Sequence, residues 1–178
     1  QDMGQDNLQI SVNKSPAQFD KESGHGDWLQ HMNQIGLAGK GIAIEITEGL
    51  LLTQKMSIIN SLAAYRHGGL QVALDDFGTG YSSLAYLKKF QIDYIKIDQS
   101  FTRNLAPSSR DMALTEAIIA MSHKLGLRVI AEGVETIEQR NLLLAAGCDY
   151  AQGYLFARPM PPLEFEDSMT RTAWHAVV

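Results

Sequence analysis

One cysteine in 178 residues, Cys148, excludes an internal disulfide and a thiolate-rich zinc site. Cysteine usage this sparse fits a reducing, cytoplasmic compartment, either free or as the cytoplasmic domain of a membrane-anchored protein. No apolar run approaches the roughly 20 residues of a membrane span, and no basic-then-apolar leader opens the chain, so this segment is expected to make no membrane contact. Positive charge is also short: 15 Lys and Arg against 20 Asp and Glu give a net charge of −5. There is no basic field to hold polymeric DNA or RNA. The histidines His25, His31, His67, His123 and His175 are scattered without metal-ligand spacing, and Trp28 and Trp174 lack aromatic partners at stacking distance. The methionines occur singly on apolar helical faces and read as core filler. What remains is average globular composition, 45% hydrophobic and 20% charged, in a length suited to one domain. The chain opens on Gln1 without an initiator Met, which reads as a piece of a longer polypeptide.

Six runs rich in Ile and Val recur with helix-like stretches between them, the pattern of βα units and a parallel sheet. They are residues 8–13 (LQISVN), 42–48 (IAIEITE), 71–77 (QVALDDF), 94–98 (YIKID), 128–132 (RVIAE) and 150–156 (YAQGYLF). Helices are predicted over 53–67 and 109–125, with Gly68 and Gly126 as C-caps, and between Glu132 and Gly147, where Thr136 and Gln139 have capping-box spacing. The strand starts lie about 20 to 35 residues apart, matching the roughly 30 residues per unit of a (β/α)8 barrel. Six units are two short of closure. The missing two are expected upstream of Gln1, and residues 1–7 and 170–178 read as frayed ends, the latter alternatively as a terminal helix.

Five of the six runs finish in a polar or acidic residue: Asn13, Glu45 with Glu48, Asp75 with Asp76, Asp98 and Glu132; the sixth carries Gln152. A lone carboxylate after a strand is ordinarily a helix cap or a solvated loop charge. Five at successive strand ends mean more, because in a parallel barrel those ends meet at one mouth. Alternation places Glu45 on the face opposite Ile44 and Ile46, and makes Lys96 an interior cation among carboxylates. Such a cluster repels itself unless a cation compensates it, and all-oxygen donors select Mg²⁺ or Mn²⁺ over zinc. Asp75 could be shared by two metals, the arrangement used for phosphoester hydrolysis. Lys96 supports two chemistries, charge stabilisation beside a metal-bound water or a Schiff base, and its acidic surroundings favour the first. A structural ion pair is its plainest role. Gly78-Thr79-Gly80 alone is a weak phosphate-loop signal.

These residues resemble the EAL domain, the bacterial cyclic di-GMP phosphodiesterase family. The resemblance is carried by Val12-Asn13-Lys14-Ser15, Glu45-Ile46-Thr47-Glu48, Asp75-Asp76-Phe77-Gly78-Thr79-Gly80-Tyr81-Ser82-Ser83-Leu84 and Lys96-Ile97-Asp98 with Ser100-Phe101. It continues through Ala131-Glu132-Gly133-Val134-Glu135-Thr136 and Ala151-Gln152-Gly153-Tyr154-Leu155-Phe156 with Arg158-Pro159, and covers nearly the whole chain. It implies a TIM-like (β/α)8 barrel and two Mg²⁺ or Mn²⁺ ions. Asn13, Glu45 and Asp75 match ligands of the first metal, with Asp75 bridging, and Asp76 and Glu132 match the second-metal side. Glu132 also matches a base or water-positioning group, Lys96 the lysine near the attacking water, Asp98 a supporting acid and Gln152 a substrate- or site-holding amide. Glu48 matches the glutamate that holds the loop running from Asp76 through Phe77, Gly78, Thr79, Gly80 and Tyr81, which in the family couples the metal site to a dimer contact.

The Glu-Ala-Leu signature that names the family, and the Arg two positions beyond it, are absent from these residues and belong to the first barrel strand. Gly49 and Gln99 are smaller departures, standing where Ser and Arg or Lys are usual. The implied activity is hydrolysis of cyclic di-GMP to the linear dinucleotide, in a homodimer fused to or regulated by sensory or GGDEF domains. Two other readings stand beside it: an inactive EAL-type cyclic di-GMP receptor or protein-interaction module, and a Schiff-base aldolase using Lys96.

Overall fold

In the computed structural model, the described residues are 8–19, 24–53, 55–80, 87 and 90–171, with backbone alone for 24–28 and 170–171. Tyr81, Ser82, Ser83 and Leu84, the two tryptophan side chains, the His25 and His175 side chains, and the ends 1–7 and 172–178 lie outside them. The chain divides into two compact units, Gln1–Ile95 and Lys96–Val178.

The first unit is built on β1 (Ile10–Asn13), β2 (Ile42–Thr47) and β3 (Gln71–Phe77). β1 and β3 each pair in parallel with β2, in the register Ile10↔Ile42, Asn13↔Glu45, Glu45↔Ala73 and Thr47↔Asp75. Its helices are α1 (Pro16–Phe19), α2 (Gly24–Gln34), α3 (Glu48–Leu52) and α4 (Met56–His67). Alternation alone expects one buried face on β2, yet every residue from Ile42 to Ile46 is buried, as parallel strands sandwiched between covering elements are. Tyr65, Phe19, Ile44, Ile46, Leu50, Val72 and Leu74 form the core.

The helix expected over 53–67 begins at Met56, and a separate short helix, α3, precedes it. Thr53 closes α3, its amide and hydroxyl both donating to the Leu50 carbonyl, and α4 starts afresh at Met56. Met56 is 66% exposed, so core filling holds for the buried Met32 and Met112 but not there. α4 ends as expected at the cap residue Gly68, and it is the next residue, Gly69, that takes the left-handed conformation.

β4 (Tyr94–Ile97) is buried throughout and carries the boundary between the units. The second unit then contains α5 (Gln99–Arg103), α6 (Arg110–Lys124), β5 (Arg128–Ala131), α7 (Ile137–Ala145), β6 (Tyr150–Ala151) and α8 (Pro162–Arg171). β5 and β6 are parallel, with Ile130 opposite Tyr150. The capping box is present: the Thr136 side chain accepts from the Gln139 amide, and Gln139 Oε1 accepts from the Thr136 amide at 3.0 Å. The other end of Gln139, Nε2, donates to the Thr102 carbonyl at 3.0 Å and ties α7 to α5. α8 runs to Arg171 and includes two of the residues expected to fray.

β6 is far shorter than the expected 150–156. Gly153 ends it, because a Cβ there would lie 2.2 Å from the Val134 carbonyl oxygen, a contact only glycine permits. Beyond it the chain turns, with the Leu155 amide donating to the Val134 carbonyl and the Phe156 amide to the Gly153 carbonyl.

One clamp is built twice, once in each unit. Asp93, just before β4, accepts from the Val72 amide at 2.9 Å and from the Arg66 side chain near the end of α4 at 3.0 Å. Asp149, just before β6, accepts from the Val129 amide at 2.8 Å and pairs with His123 in the last turn of α6 at 2.8 Å. Each aspartate thus joins the preceding helix to a neighbouring strand start.

Cys148 sits in the core cluster of the second unit with Ile119, Val129 and Leu143. Its thiol donates to the Tyr150 carbonyl at 3.2 Å, and burial pushes its pKa up to about 11 from 9.0. The unfolded thiol therefore ionises first as pH rises. The stability this group contributes is complete below pH 9 and lost on the way to pH 11, a loss of about 2 kcal/mol by proton linkage. Chemical denaturation across that range is expected to show the wild type losing more stability than Cys148→Ala; parallel curves would contradict the assignment. A second outcome concerns the capping box: Thr136→Ala should cost about 1 kcal/mol and lower Tm by about 2–4 °C, with Thr136→Ser recovering most of it.

Candidate active site

The register of the first unit assembles the first group of predicted residues. Asn13 and Glu45 are direct neighbours across β1 and β2, and Glu45 faces Ala73 on β3. Asp75 lies two residues beyond Ala73 and so on the same face. Asn13, Glu45 and Asp75 thus share one face at the C-terminal ends of three adjacent strands. Glu45 is 5% exposed. The next residue, Lys14, alternates away: its amide donates to the Glu45 carbonyl at 2.9 Å, and its ammonium lies 4.8 Å from the ring centres of both Phe19 and Tyr65 and bonds to the Tyr65 hydroxyl. Burial lowers the Lys14 pKa and pushes Tyr65 up to about 12.

Asp76 has φ +56°, a left-handed conformation unusual outside glycine, at the point where β3 gives way to the turn. The Thr79 amide and hydroxyl both donate to the Asp76 carbonyl, and Phe77 is buried. Glu48, 6% exposed, opens α3; its Oε2 accepts from the Gly78 amide at 3.4 Å. A Cβ on Gly80 would come within 3.0 Å of Glu48 Oε1, so the missing side chain there makes room for the carboxylate. Glu48 therefore touches the turn at Gly78 and Gly80.

The second unit brings together three more of the predicted residues. Lys96, 3% exposed, places Nζ 2.7 Å from Glu132 Oε1, and Gln152 Nε2 donates to the same oxygen at 2.7 Å. Backbone pairing sets this up, with the Glu132 amide on the Ile97 carbonyl and the Gln152 amide on the Ala131 carbonyl. Two donors on one carboxylate oxygen fix its orientation. Lys96 thus makes the ion pair that is the plainest of its expected roles. Asp98 takes the plainer of its readings: its carboxylate caps α5, accepting from the Ser100 amide at 2.9 Å.

Beside this trio opens a cavity of 720 Å³, lined among others by Gln99, Arg103, Glu135, Gln152, Tyr154 and Arg158. Gly133, at φ +66°, lets the β5–α7 connection approach α5, since a Cβ there would meet Gln99 Cβ at 2.6 Å. The Arg158 guanidinium lies 4.8 Å from the centre of the Tyr154 ring. Reading strand ends does not single out Arg103, Glu135, Tyr154 and Arg158, because they sit on a helix and on connections. Glu135, Tyr154 and Arg158 do fall within the Glu132–Thr136 and Gln152–Pro159 motifs, which run past the strands that carry them; Arg103 lies outside both.

Comparison with known proteins follows this geometry. The family model described as "EAL domain" matches residues 1–159. The cyclic di-GMP phosphodiesterase NbdA of Pseudomonas aeruginosa is 40% identical over 164 residues, covering 92% of this chain and 21% of NbdA. The chain thus spans about a fifth of that relative's length. Among solved structures, the PaMucR phosphodiesterase in complex with c-di-GMP is similar with TM-score 0.85 and 34% identity, over 92% of this chain and 72% of that one. The EAL domain of Mycobacterium smegmatis DcpA is similar with TM-score 0.87 and 34% identity, over 97% and 75%. Klebsiella pneumoniae BlrP1, in a manganese/cyclic di-GMP complex, is similar with TM-score 0.80 and 33% identity, over 89% and 40%.

The buried pair yields a stability outcome. Lys96→Met strands the Glu132 charge and is expected to cost about 3 kcal/mol, the lower end for a broken buried pair because Glu132 retains some exposure. Adding Glu132→Met should recover part of that loss in denaturant unfolding; simple additivity of the two single losses would show that the pair is not coupled.

Proposed function

We propose, from the premise that this chain belongs to the EAL domain family, that it is the catalytic part of a phosphodiesterase that hydrolyses cyclic di-GMP to linear pGpG. The fold class expected from the βα spacing together with the family resemblance, a (β/α)8 barrel of EAL type with six of eight units, is borne out by the solved EAL structures it matches. The observation that carries the functional reading is the set Asn13, Glu45 and Asp75 on one face of adjacent strand ends, in a chain whose relative NbdA is named a cyclic di-GMP phosphodiesterase.

That donor set is all oxygen and so fits Mg²⁺ or Mn²⁺. Asn13, Glu45 and Asp75 would hold one ion, and Asp75, Asp76 and Glu132 a second. When bound, two such ions polarise the phosphodiester and lower the pKa of a coordinated water. The chain's own residues do the rest. In-line attack forms a bond from a water oxygen to phosphorus and breaks the bond to the 3′ oxygen, which leaves with a proton as the 3′ hydroxyl. Glu132 orients the water, held in place by the two donors on its Oε1. The Lys96 ammonium faces the negative charge that grows on the phosphoryl oxygens. Gln152 holds Glu132 and the substrate side of the cavity, and Asp98 supports the site by fixing the start of α5.

Glu48 and the turn from Asp76 through Phe77, Gly78, Thr79, Gly80 and Tyr81 are assigned to coupling this site to a homodimer contact. Sensory or GGDEF domains are the proposed regulators, and the cytoplasm the proposed compartment. No helix among the described residues is long and apolar enough to cross a membrane.

Hydrolysis of cyclic di-GMP by the full-length protein, followed chromatographically, tests the reading. Turnover should require Mn²⁺ or Mg²⁺, vanish with chelator and return on adding metal. Asp75→Asn should reduce kcat by roughly 10³-fold or more through loss of the shared ligand. An Asp75→Asn enzyme with ordinary activity would overturn the assignment, and tight binding without turnover in the wild type would make the protein a receptor.

A further inference from the structure

We infer that Gln139, a buried residue outside the cavity lining, is a positioning residue that holds two walls of the cavity together and so sets the affinity for the dinucleotide. This rests on the proposed function, under which the cavity beside the Lys96–Glu132–Gln152 trio holds substrate. Gln139 is 8% exposed, and both ends of its amide are engaged. Oε1 accepts from the Glu135 amide at 2.7 Å and from the Thr136 amide at 3.0 Å. Nε2 donates to the Thr102 carbonyl at 3.0 Å and reaches the Arg103 carbonyl at 3.5 Å. Two of these four partners line the cavity, and they come from different elements: Arg103 from the end of α5, Glu135 from the β5–α7 connection.

A capping box needs only half of this arrangement. Its reciprocal bonds use the Thr136 hydroxyl and Gln139 Oε1, and a glutamate at the same position would close it equally well. What glutamine adds is a donor, Nε2, which crosses to α5. The last carbonyls of a helix have no partner within its own ladder, so those of α5 are open to a bond from outside. On its other side the β5–α7 connection is already fixed: the Val134 amide donates to the Gln152 carbonyl, and the Leu155 amide to the Val134 carbonyl, both at 3.0 Å. Gln139 makes the corresponding tie to α5. The trio is held by bonds of its own, from Lys96 and Gln152 to Glu132 Oε1. Loss of the tie therefore shifts one cavity wall against the other and changes the fit of bound substrate, while the reacting groups keep their places.

The test reads calorimetric Kd, KM and kcat for cyclic di-GMP, together with urea stability, on the full-length protein as wild type, Gln139→Glu, Gln139→Met and Thr136→Ala. Gln139→Glu, measured at about pH 8 where the new carboxylate is ionised, keeps the cap and turns the donor into an acceptor facing the Thr102 carbonyl. Gln139→Met loses cap and tie together. Each should raise Kd and KM about tenfold, with kcat within a few-fold of wild type. Thr136→Ala weakens the same cap without touching the tie, so it should lose stability and keep the wild-type Kd. An unchanged Kd in Gln139→Glu would overturn the inference. So would a fall in kcat at unchanged KM, or an equal rise of Kd in Thr136→Ala, which would trace the effect to stability alone. Because Kd is read separately from turnover, a wild type that binds without cleaving overturns only the hydrolytic reading; one that does not bind cyclic di-GMP overturns both.

Discussion

Parallel pairing is the constraint on which the candidate site depends. When neighbouring strands run the same way, their C-terminal ends lie side by side, and residues in register share a face. The pairing of Asn13 with Glu45, and of Glu45 with Ala73 two residues before Asp75, therefore assembles three oxygen-bearing side chains from three short apolar strands. A slip of one residue in β2 would turn Glu45 to the other face and dissolve the set. Ile44, Ile46, Val72 and Leu74, all essentially inaccessible to solvent, oppose that slip. The core thus specifies the site's geometry by fixing register.

Electrostatics sets the second demand. The first unit gathers carboxylates at its strand ends, an arrangement that is unfavourable unless positive charge is supplied. The second unit pairs its own strand-end carboxylate internally: Lys96 is buried and bonded to Glu132, and Gln152 secures the same oxygen. Cations are also placed where they serve packing alone. Lys14, one residue beyond Asn13, is turned between two aromatic rings, and Arg66 completes the clamp made by Asp93. Neighbouring residues in sequence thus divide between chemistry and structure according to the face they take.

Much of this was legible in the sequence because periodicity and position carry it. The strand starts at Ile42, Gln71, Tyr94, Arg128 and Tyr150, the capping box at Thr136, and the burial of Glu45 and Lys96 all follow from local pattern. What escaped depended on contacts between distant residues. β6 stops after Ala151 because Gly153 must pass against Val134, a constraint no local propensity records. Met56 lies on an apolar-looking helix but faces solvent, at the first position of α4. Asp98 and the acids proposed as ligands look alike in sequence, yet Asp98 spends its carboxylate on a helix cap. The cavity was hidden for the same reason: its lining runs from Gln99 to Phe165 and exists only once α5 and the connections after β5 and β6 are folded together.

The central claim is that the strand-end oxygens of β1, β2 and β3 form a binding site for hard divalent cations. Titration of the full-length protein with Mn²⁺, followed by the electron paramagnetic resonance signal of the free ion, tests it without recourse to turnover. Saturable binding in the wild type, weakened about tenfold or more in a Glu45→Gln variant that still folds, is the predicted result. Binding that is identical in both proteins, or absent from the wild type, would contradict it.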